Sequence, residues 1–503
     1  VRYSIWLFLI ACIPTGLFAQ KNPLKGLDRY VDEARQAWEI PGMALTIVKD
    51  GKVVYAQGFG VRNLDTREPV DAHTLFSNAS TTKAFVATAL LMLSDEGKVD
   101  LDAPVIRYLP GFRVADPYVT RALMVRDLLS HRTGVEPTNL WVYDSLDLSD
   151  DYVRRLQFAP QHSSLRSHYQ YNNDMFIVAG KVIEAVTGQP WETYVQQRIL
   201  TPLGMAETLT NGLEVKGKPN VAAAHGPIHD TLRVLAYPYN PGVSAAGALR
   251  SNIHDMARWV IALLDSTRHD GTRLLTPGAY AQLFTPHTLI GQSSNPAIRR
   301  AGIHFYAYGL GWFLQDYRGH LLVFHTGSLR GASALVGMLP EENLGFAMFL
   351  NKDQAELRIP LMYEIFDRYL GTQGIDWSGE ALAYYQAEAA KEHQEALAVL
   401  PRVPHDVPSL AAEAYAGTYV DSLYGTLTVT LVGGALQMQR GERSYDLQHV
   451  HYDTFRAVNQ DPWYGQWPSQ LRFLMDEKGR VVQLEMDEVR YHRLPTGNAG
   501  GTR

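Results

Sequence analysis

The sequence predicts an α+β fold: an antiparallel sheet flanked by helices, an all-helical lobe beside it, and a small all-β barrel near the C-terminal end. Three observations lead there. Hairpin-like strands stand at both ends of residues 20–370, with helical patterns between them. Residues 380–400 (EALAYYQAEAAKEHQEALAVL) are helix-forming and are closed by Pro401, Pro404 and Pro408. From Tyr415 onward the chain holds only short alternating runs and turns.

Each element has its own warrant. In residues 27–38 apolar side chains recur at helical spacing (Leu27, Tyr30, Val31, Ala34, Trp38), and Pro41-Gly42 stops the pattern. Residues 43–48 form a strand, Asp50-Gly51 turns it, and residues 52–59 return. Helices are expected over 81–96, 176–187, 191–199 and 255–265, and strands over 321–324, 332–339 and 344–349. In the tail, Leu427, Val429 and Leu431 share one strand face and Gly433-Gly434 turns the chain. Further runs at 471–475 and 481–486 flank another turn. The expected organisation is a signal peptide over 1–19, a catalytic unit over 20–370, a helical connector over 371–408, a barrel over 409–497 and a tail over 498–503.

Composition excludes several classes. Of 503 residues, 46% are hydrophobic and 19% charged, which disfavours a disordered chain. Lys+Arg number 46 against Asp+Glu 52, so the net charge is −6 and no nucleic-acid partner is expected. A single cysteine excludes an intrachain disulfide framework, an iron–sulfur cluster and a Cys-based zinc finger. His449 and His451 lack a neighbouring carboxylate motif, so neither a metal nor another cofactor is expected.

Residues 1–20 read VRYSIWLFLIACIPTGLFAQ. Arg2 precedes an apolar run over 5–13 that Pro14 and Gly16 break before Leu17-Phe18-Ala19. This reads as a secretory signal cut after Ala19, which implies a secreted or periplasmic protein. Leu9-Ile10-Ala11-Cys12 offers a second reading, lipoprotein processing at Cys12. No later stretch offers about 20 continuous apolar residues, so no transmembrane anchor is expected.

The chemistry centres on Ser80-Thr81-Thr82-Lys83. If Ser80 opens the helix predicted there, Lys83 lies on the same face and reaches back to its hydroxyl. A buried lysine with a favoured neutral form can take the serine proton. Alternatively, Ser80 caps the helix and Lys83 is solvated. Two more motifs bear on the choice. Tyr171-Asn172-Asn173 offers a phenol that ionises more readily beside an ammonium, and an amide for the Lys83/Ser80 network or a substrate carbonyl. His325-Thr326-Gly327 ends a strand. Gly327 lets a substrate lie flat on that edge, and Ser328 N–H supplies an oxyanion donor. His325 then polarises the tyrosine or binds a substrate carboxylate, unless it is a structural histidine. Arg330 is a second carboxylate ligand or a surface ion pair. There is no Gly-x-Ser-x-Gly elbow, no His-Glu-x-x-His and no phosphate-cradling loop.

The ordered set Ser80-x-x-Lys83, Tyr171-x-Asn173 and His325-Thr326-Gly327 resembles the serine hydrolases of the class C β-lactamase and D-alanyl-D-alanine carboxypeptidase superfamily. LLSHRTG (128–134), Pro202-Leu203-Gly204-Met205 and AAGALRSNIHDMARW (245–259) are similar to that family too. The tail after Tyr415 resembles the lipocalin-like domain of some members, D-amino-acid-specific peptidases among them. The resemblance implies catalytic Ser80, Lys83 and Tyr171, with Asn173, His325, Thr326, Gly327 and Ser328 binding substrate. It implies hydrolysis through an acyl-enzyme on an amide or ester, in a peptide or D-amino-acid-containing substrate that includes cell-wall fragments. Where the best-known β-lactamases carry lysine, His325 stands, which argues against efficient β-lactam hydrolysis. The alternatives are a β-lactamase and a slowly turning-over penicillin-recognising or peptidoglycan-binding module. For the barrel, the expectation is packing beside the cleft and limiting substrate size; covering the active-site mouth, binding an apolar ligand or forming a homo-oligomer are the other roles open to it.

Overall fold

The chain is described from a computed structural model over residues 22–138, 150–236, 244–265, 271–372, 374–397 and 406–495. The expected signal segment, with Cys12 and Ala19, and the tail 498–503 lie outside the described residues.

Six helices of ten residues or more occur among the described residues: α1 (Leu27–Ala37), α2 (Thr82–Asp95), α3 (Asn173–Thr187), α4 (Ile253–Asp265), α5 (Arg358–Leu370) and α6 (Trp377–Leu397). The first strands are β1 (Gly42–Lys49), β2 (Lys52–Gly60), β3 (Phe76–Ser77), β4 (His225–Ile228), β5 (Thr231–Val234) and β6 (Arg250–Ser251). Then come β7 (Thr288–Leu289), β8 (Tyr306–Tyr308), β9 (Phe313–Tyr317), β10 (His320–Leu329), β11 (Ala332–Leu339) and β12 (Leu344–Leu350). An eight-stranded antiparallel sheet has the order β2-β1-β12-β11-β10-β9-β8-β7. Opening and closing strands of the catalytic unit therefore pair directly, β1 beside β12.

Alternation along β1 divides the core. Met43, Leu45 and Ile47 pack with Leu27 and Val31 of α1 and Phe366 of α5. Ala44 and Val48 face the other way, toward Trp259 and Val260 of α4 and the helical lobe built around α2 and α3. Phe85 of α2 stacks on Trp259 with centroids 4.0 Å apart, tying lobe to sheet.

The tail is a closed barrel of eight strands in sequence order: β13 (Gly417–Asp421), β14 (Gly425–Val432), β15 (Ala435–Arg440), β16 (Arg443–His451), β17 (Thr454–Asn459), β18 (Ser469–Met475), β19 (Val481–Met486) and β20 (Val489–Arg493). β20 closes onto β13 through Tyr419↔Arg493 and Val420↔His492. This up-and-down closure is the lipocalin-like architecture expected from the sequence. Inside, Phe473 meets Tyr415, Tyr419 and Phe455 at 4.8, 5.8 and 5.6 Å, so side chains fill the barrel as a packed core.

Three boundaries differ from the sequence reading. β10 runs on through His325-Thr326-Gly327-Ser328, because β11 pairs with it as far as Leu329 although the apolar signal has ended. α3 starts at Asn173, capped by the Asn172 side chain accepting from Met175 N–H. The helix expected over 191–199 splits into Trp191–Val195 and a π-turn, Gln196–Leu200.

The barrel docks on the catalytic unit through the segment following β17. Asp461 takes a bidentate pair of bonds from Arg330, 2.9 Å each, in the β10–β11 turn. Trp463 and Tyr464 lie against the same guanidinium at 5.1 and 4.7 Å. Gln466 donates to Pro227 O and accepts from His229 N–H, at 2.9 and 2.8 Å, holding the β4–β5 hairpin.

Candidate active site

The loop joining β3 to α2 builds the site. β3 pairs with β6 at Phe76↔Ser251 and Ser77↔Arg250. The chain then turns sharply: buried Ala79 has φ 46°, a left-handed conformation that costs an alanine roughly 1 kcal/mol. A 3₁₀ turn, Ala79–Thr81, follows, and α2 begins at Thr82. Ser80 therefore lies in the turn before the helix, without the capping bond that the structural alternative required. Lys83, in the first turn of α2, is fully buried, so the solvated-lysine reading fails as well.

The Lys83 ammonium nitrogen lies 2.7 Å from Asn173 Oδ1, 2.8 Å from Ala246 O and 3.1 Å from Ser80 Oγ. The β3–β6 pairing brings the segment carrying Ala246 to this point. Burial pushes the Lys83 pKa well below its ordinary value. A neutral amine has two hydrogens and one lone pair, and the two carbonyl oxygens accept both hydrogens. The lone pair is then left for the Ser80 hydroxyl proton.

Tyr171 stands beside Ser80, and its ring lies 5.0 Å from the Lys83 nitrogen. The expectation of an easily ionised phenol is corrected: burial pushes its pKa up, and the phenol is held neutral. Lysine and tyrosine are thus driven in opposite directions, one toward a free base and the other toward a retained acid. Because Asn172 performs the helix cap, the Asn173 amide is free to meet Lys83.

The second wall is β10. Its pairing with β9 ends at Phe324↔Phe313, so residues 325–329 have β11 on one side and, among the described residues, a free edge on the other. A Cβ on Gly327 would lie 2.4 Å from Asn78 O, 3.1 Å from Ala79 Cβ and 3.2 Å from Ser80 N. The glycine thus serves close approach of the strand to the Ser80 turn, beyond the flat substrate seat expected from the sequence. Thr326 is partly buried and Ser328 exposed, whereas His325 is fully buried.

His325 departs from both roles assigned to it. Its Nδ1–H donates to Thr326 O at 2.6 Å, so Nε2 is the acceptor of the Tyr308 hydroxyl at 2.8 Å. Its ring centroid is 6.5 Å from that of Tyr171, and the tyrosine it engages is Tyr308. Burial above all lowers its pKa to about 3. The imidazole is neutral, with both nitrogens engaged, and offers no charge to a substrate carboxylate. Arg330 likewise turns away from substrate, to Asp461.

Three contributors escaped the sequence reading. His131, within the noted 128–134 segment, has φ 52°, accepts Asn172 N–H at Nδ1 (3.0 Å) and lies 4.1 Å from the Tyr171 ring. It supports the tyrosine loop from behind. Tyr308 closes the His325 network. Arg358 donates to Gly327 O and Ser328 Oγ, each at 2.6 Å, from the start of α5. None of the three sits in a spaced motif. In the barrel, a bulge separates His449 from His451, and His449 Nε2–H donates to Tyr452 O.

Comparisons with known proteins agree with this architecture. A family model described as Beta-lactamase matches residues 27–367, and one described as Domain of unknown function (DUF3471) matches residues 401–496. Unguisins hydrolase ungD of Aspergillus violaceofuscus is 31% identical over 479 residues, covering 87% of this chain and 83% of that protein. The octameric penicillin-binding protein homologue from Pyrococcus abyssi superposes with TM-score 0.61 at 21% identity, covering 93% of this chain and 99% of the other. D-amino acid amidase from Ochrobactrum anthropi, complexed with L-phenylalanine, gives TM-score 0.57 at 23% identity, with 69% and 98% covered. The match over residues 27–367 covers more than half of the sequence, and the chain belongs to the β-lactamase family of serine hydrolases.

Proposed function

We propose that the protein is an exported acyl-transfer hydrolase that forms an acyl-enzyme on Ser80 and cleaves an amide or ester in a peptide or D-amino-acid-containing substrate. The observation that carries this reading is the Lys83 amine: buried, with two carbonyl partners and the Ser80 hydroxyl as its third contact. Lys83 takes the Ser80 proton as Oγ bonds to the substrate carbonyl carbon. The resulting oxyanion lies between the N–H groups of Ser80 and Ser328. As the tetrahedral species collapses, Tyr171 hands a proton to the departing nitrogen or oxygen and is resupplied by Lys83. Asn173 holds Lys83 through its carbonyl and keeps its NH₂ for the substrate. Water, activated by the same base, then releases the acid.

The charges around β10 narrow the substrate. His325 is neutral, Arg330 is bound to Asp461, and Arg358 is buried beside Glu356 at 2.8 Å. This favours amides and esters without a carboxylate anchor over β-lactams and C-terminal D-Ala-D-Ala peptides. The amidase and hydrolase names among the similar proteins support hydrolysis of an amide or related bond. Export rests on residues 1–19, and a mature N-terminus at Gln20 in the exported protein is the corresponding result.

The test is a hydrolysis panel of D-aminoacyl amides, short esters, D-Ala-D-Ala peptides and nitrocefin, run beside fluorophosphonate labelling. Wild-type protein is expected to label at Ser80 and release many product equivalents per enzyme. Equal labelling of Ser80→Ala overturns the nucleophile, and a single equivalent of product overturns the hydrolase in favour of a binding module.

A further inference from the structure

Arg358 is a buried cation for which the acyl-transfer scheme has no use. It is the first residue of α5, 7% exposed, and Glu356 anchors it at 2.8 Å. Its Nη1 donates to Gly327 O and to Ser328 Oγ, both at 2.6 Å. A charge-assisted bond this short to a backbone carbonyl is stronger than a neutral one.

The register of the β10–β11 hairpin shows what that carbonyl does. Leu329 pairs with Ala332 across the two-residue turn Arg330-Gly331. In such a hairpin the pair flanking the turn is hydrogen-bonded, and bonded and non-bonded pairs alternate from there. Gly327↔Ala334 is therefore a bonded pair, and Ser328↔Ser333 is not. The N–H and C=O of Ser328 consequently face the free edge of β10, on the side where β9 has ended. Gly327 C=O and Ser328 N–H are the two ends of one peptide group. Drawing electron density toward the oxygen makes the nitrogen end a better donor, and gripping the oxygen fixes the plane in which that N–H points. The same peptide lies against the nucleophile turn, since a Cβ on Gly327 would be 3.2 Å from Ser80 N.

We infer that Arg358 is a positioning residue for acyl transfer, which orients and polarises the Ser328 N–H through the Gly327 carbonyl so that this N–H can hold the developing oxyanion. The inference rests on the acyl-enzyme reading above. It assigns Arg358 no contact with substrate, so its effect belongs to the transition state rather than to substrate affinity.

The experiment compares full-length wild type, Arg358→Met and Arg358→Lys, reacting each with an alkyl fluorophosphonate. Ser80 Oγ bonds to phosphorus, its proton passes to Lys83 and fluoride departs, while the phosphoryl oxygen occupies the oxyanion position. End-point stoichiometry counts folded sites, and kinact and KI are measured separately per site. Arg358→Met is expected to lower kinact roughly tenfold or more and leave KI within about threefold. Arg358→Lys, still able to donate to Gly327 O, is expected to recover part of that loss. A wild-type kinact in Arg358→Met, or a loss confined to KI, overturns the inference. Should Arg358→Met yield no folded protein, Arg358→Lys decides: its fork geometry is lost, so a kinact equal to wild type overturns the inference, and a severalfold deficit at unchanged KI supports it. Failure of the wild type to label overturns the acyl-enzyme reading instead.

Discussion

Adding one methyl group at Gly327 probes the fit between the two walls of the site. The new Cβ would lie 2.4 Å from Asn78 O, with Ala79 Cβ at 3.1 Å and Ser80 N at 3.2 Å. Ordinary van der Waals contact begins near 3.4 Å, so either the strand or the Ser80 turn moves by about 1.0 Å. Neither is soft. β10 is paired with β11 through Leu329, and Arg358 holds Gly327 O. The turn is pinned by the β3–β6 ladder and by Asn78 N–H donating to Leu249 O at 3.0 Å. Overpacking of this kind costs about 1–3 kcal/mol of stability. Displacing a reacting group by about 1 Å costs on the order of 100-fold in rate. Gly327→Ala is therefore expected to acylate roughly 100-fold more slowly while still folding. Stopped-flow acylation with a chromogenic ester, normalised to active sites, measures the rate, and thermal unfolding measures the stability. Wild-type acylation with an unchanged Tm would refute the packing on which the site geometry rests.

The other expectations concern protons and the docking of the barrel. On the proposed scheme Lys83→Met, removing the base, is expected to cost about 10³-fold in kcat, and Tyr171→Phe, losing the acid but keeping the ring, about 10²-fold. Steady-state kinetics on one ester checks both, and a Tyr171→Phe loss exceeding that of Lys83→Met would reverse the assignment. Burial holds the folded His325 pKa at about 3, against 6.5 for the exposed imidazole. The unfolded chain binds the extra proton, so this contribution is complete above pH 6.5 and is lost as pH falls toward the folded value; about 3 kcal/mol is gone by pH ~4.5. Urea unfolding at pH 7.5 and 4.5 should show a flatter pH dependence in His325→Asn than in wild type, and equal slopes would contradict the buried neutral imidazole. The Arg330–Asp461 pair is partly shielded, at 11% and 31% side-chain exposure, and its double-mutant coupling is expected near ~1 kcal/mol. Thermal unfolding of Arg330→Met, Asp461→Asn and the double variant measures it; additive losses would show that the aromatic contacts alone dock the barrel.

Local pattern carried much of this molecule. Residues 43–48 and 332–339 are apolar runs closed by turn residues, and they became interior strands of the sheet because nothing in the tertiary structure opposed their preference. The barrel strands were legible for the same reason: Leu427 and Val429 alternate with polar neighbours, and period two needs no distant partner to be recognised. Ser80 and Lys83 stand one helical turn apart, so their proximity could be read before any fold was known. What local pattern could not settle was direction and charge. Whether His325 turns to Tyr171 or to Tyr308 depends on the pairing of β8 with β9 and of β9 with β10. Arg330 and Arg358 look alike in sequence, yet the first binds the barrel and the second reaches under Gly327. Sequence spacing alone determined that an alcohol and an amine would meet, because one turn of backbone fixes that distance. Only the tertiary structure decided that the amine is driven toward its neutral form and the neighbouring phenol away from ionising, because desolvation is set by everything packed around a group and not by its place in the chain.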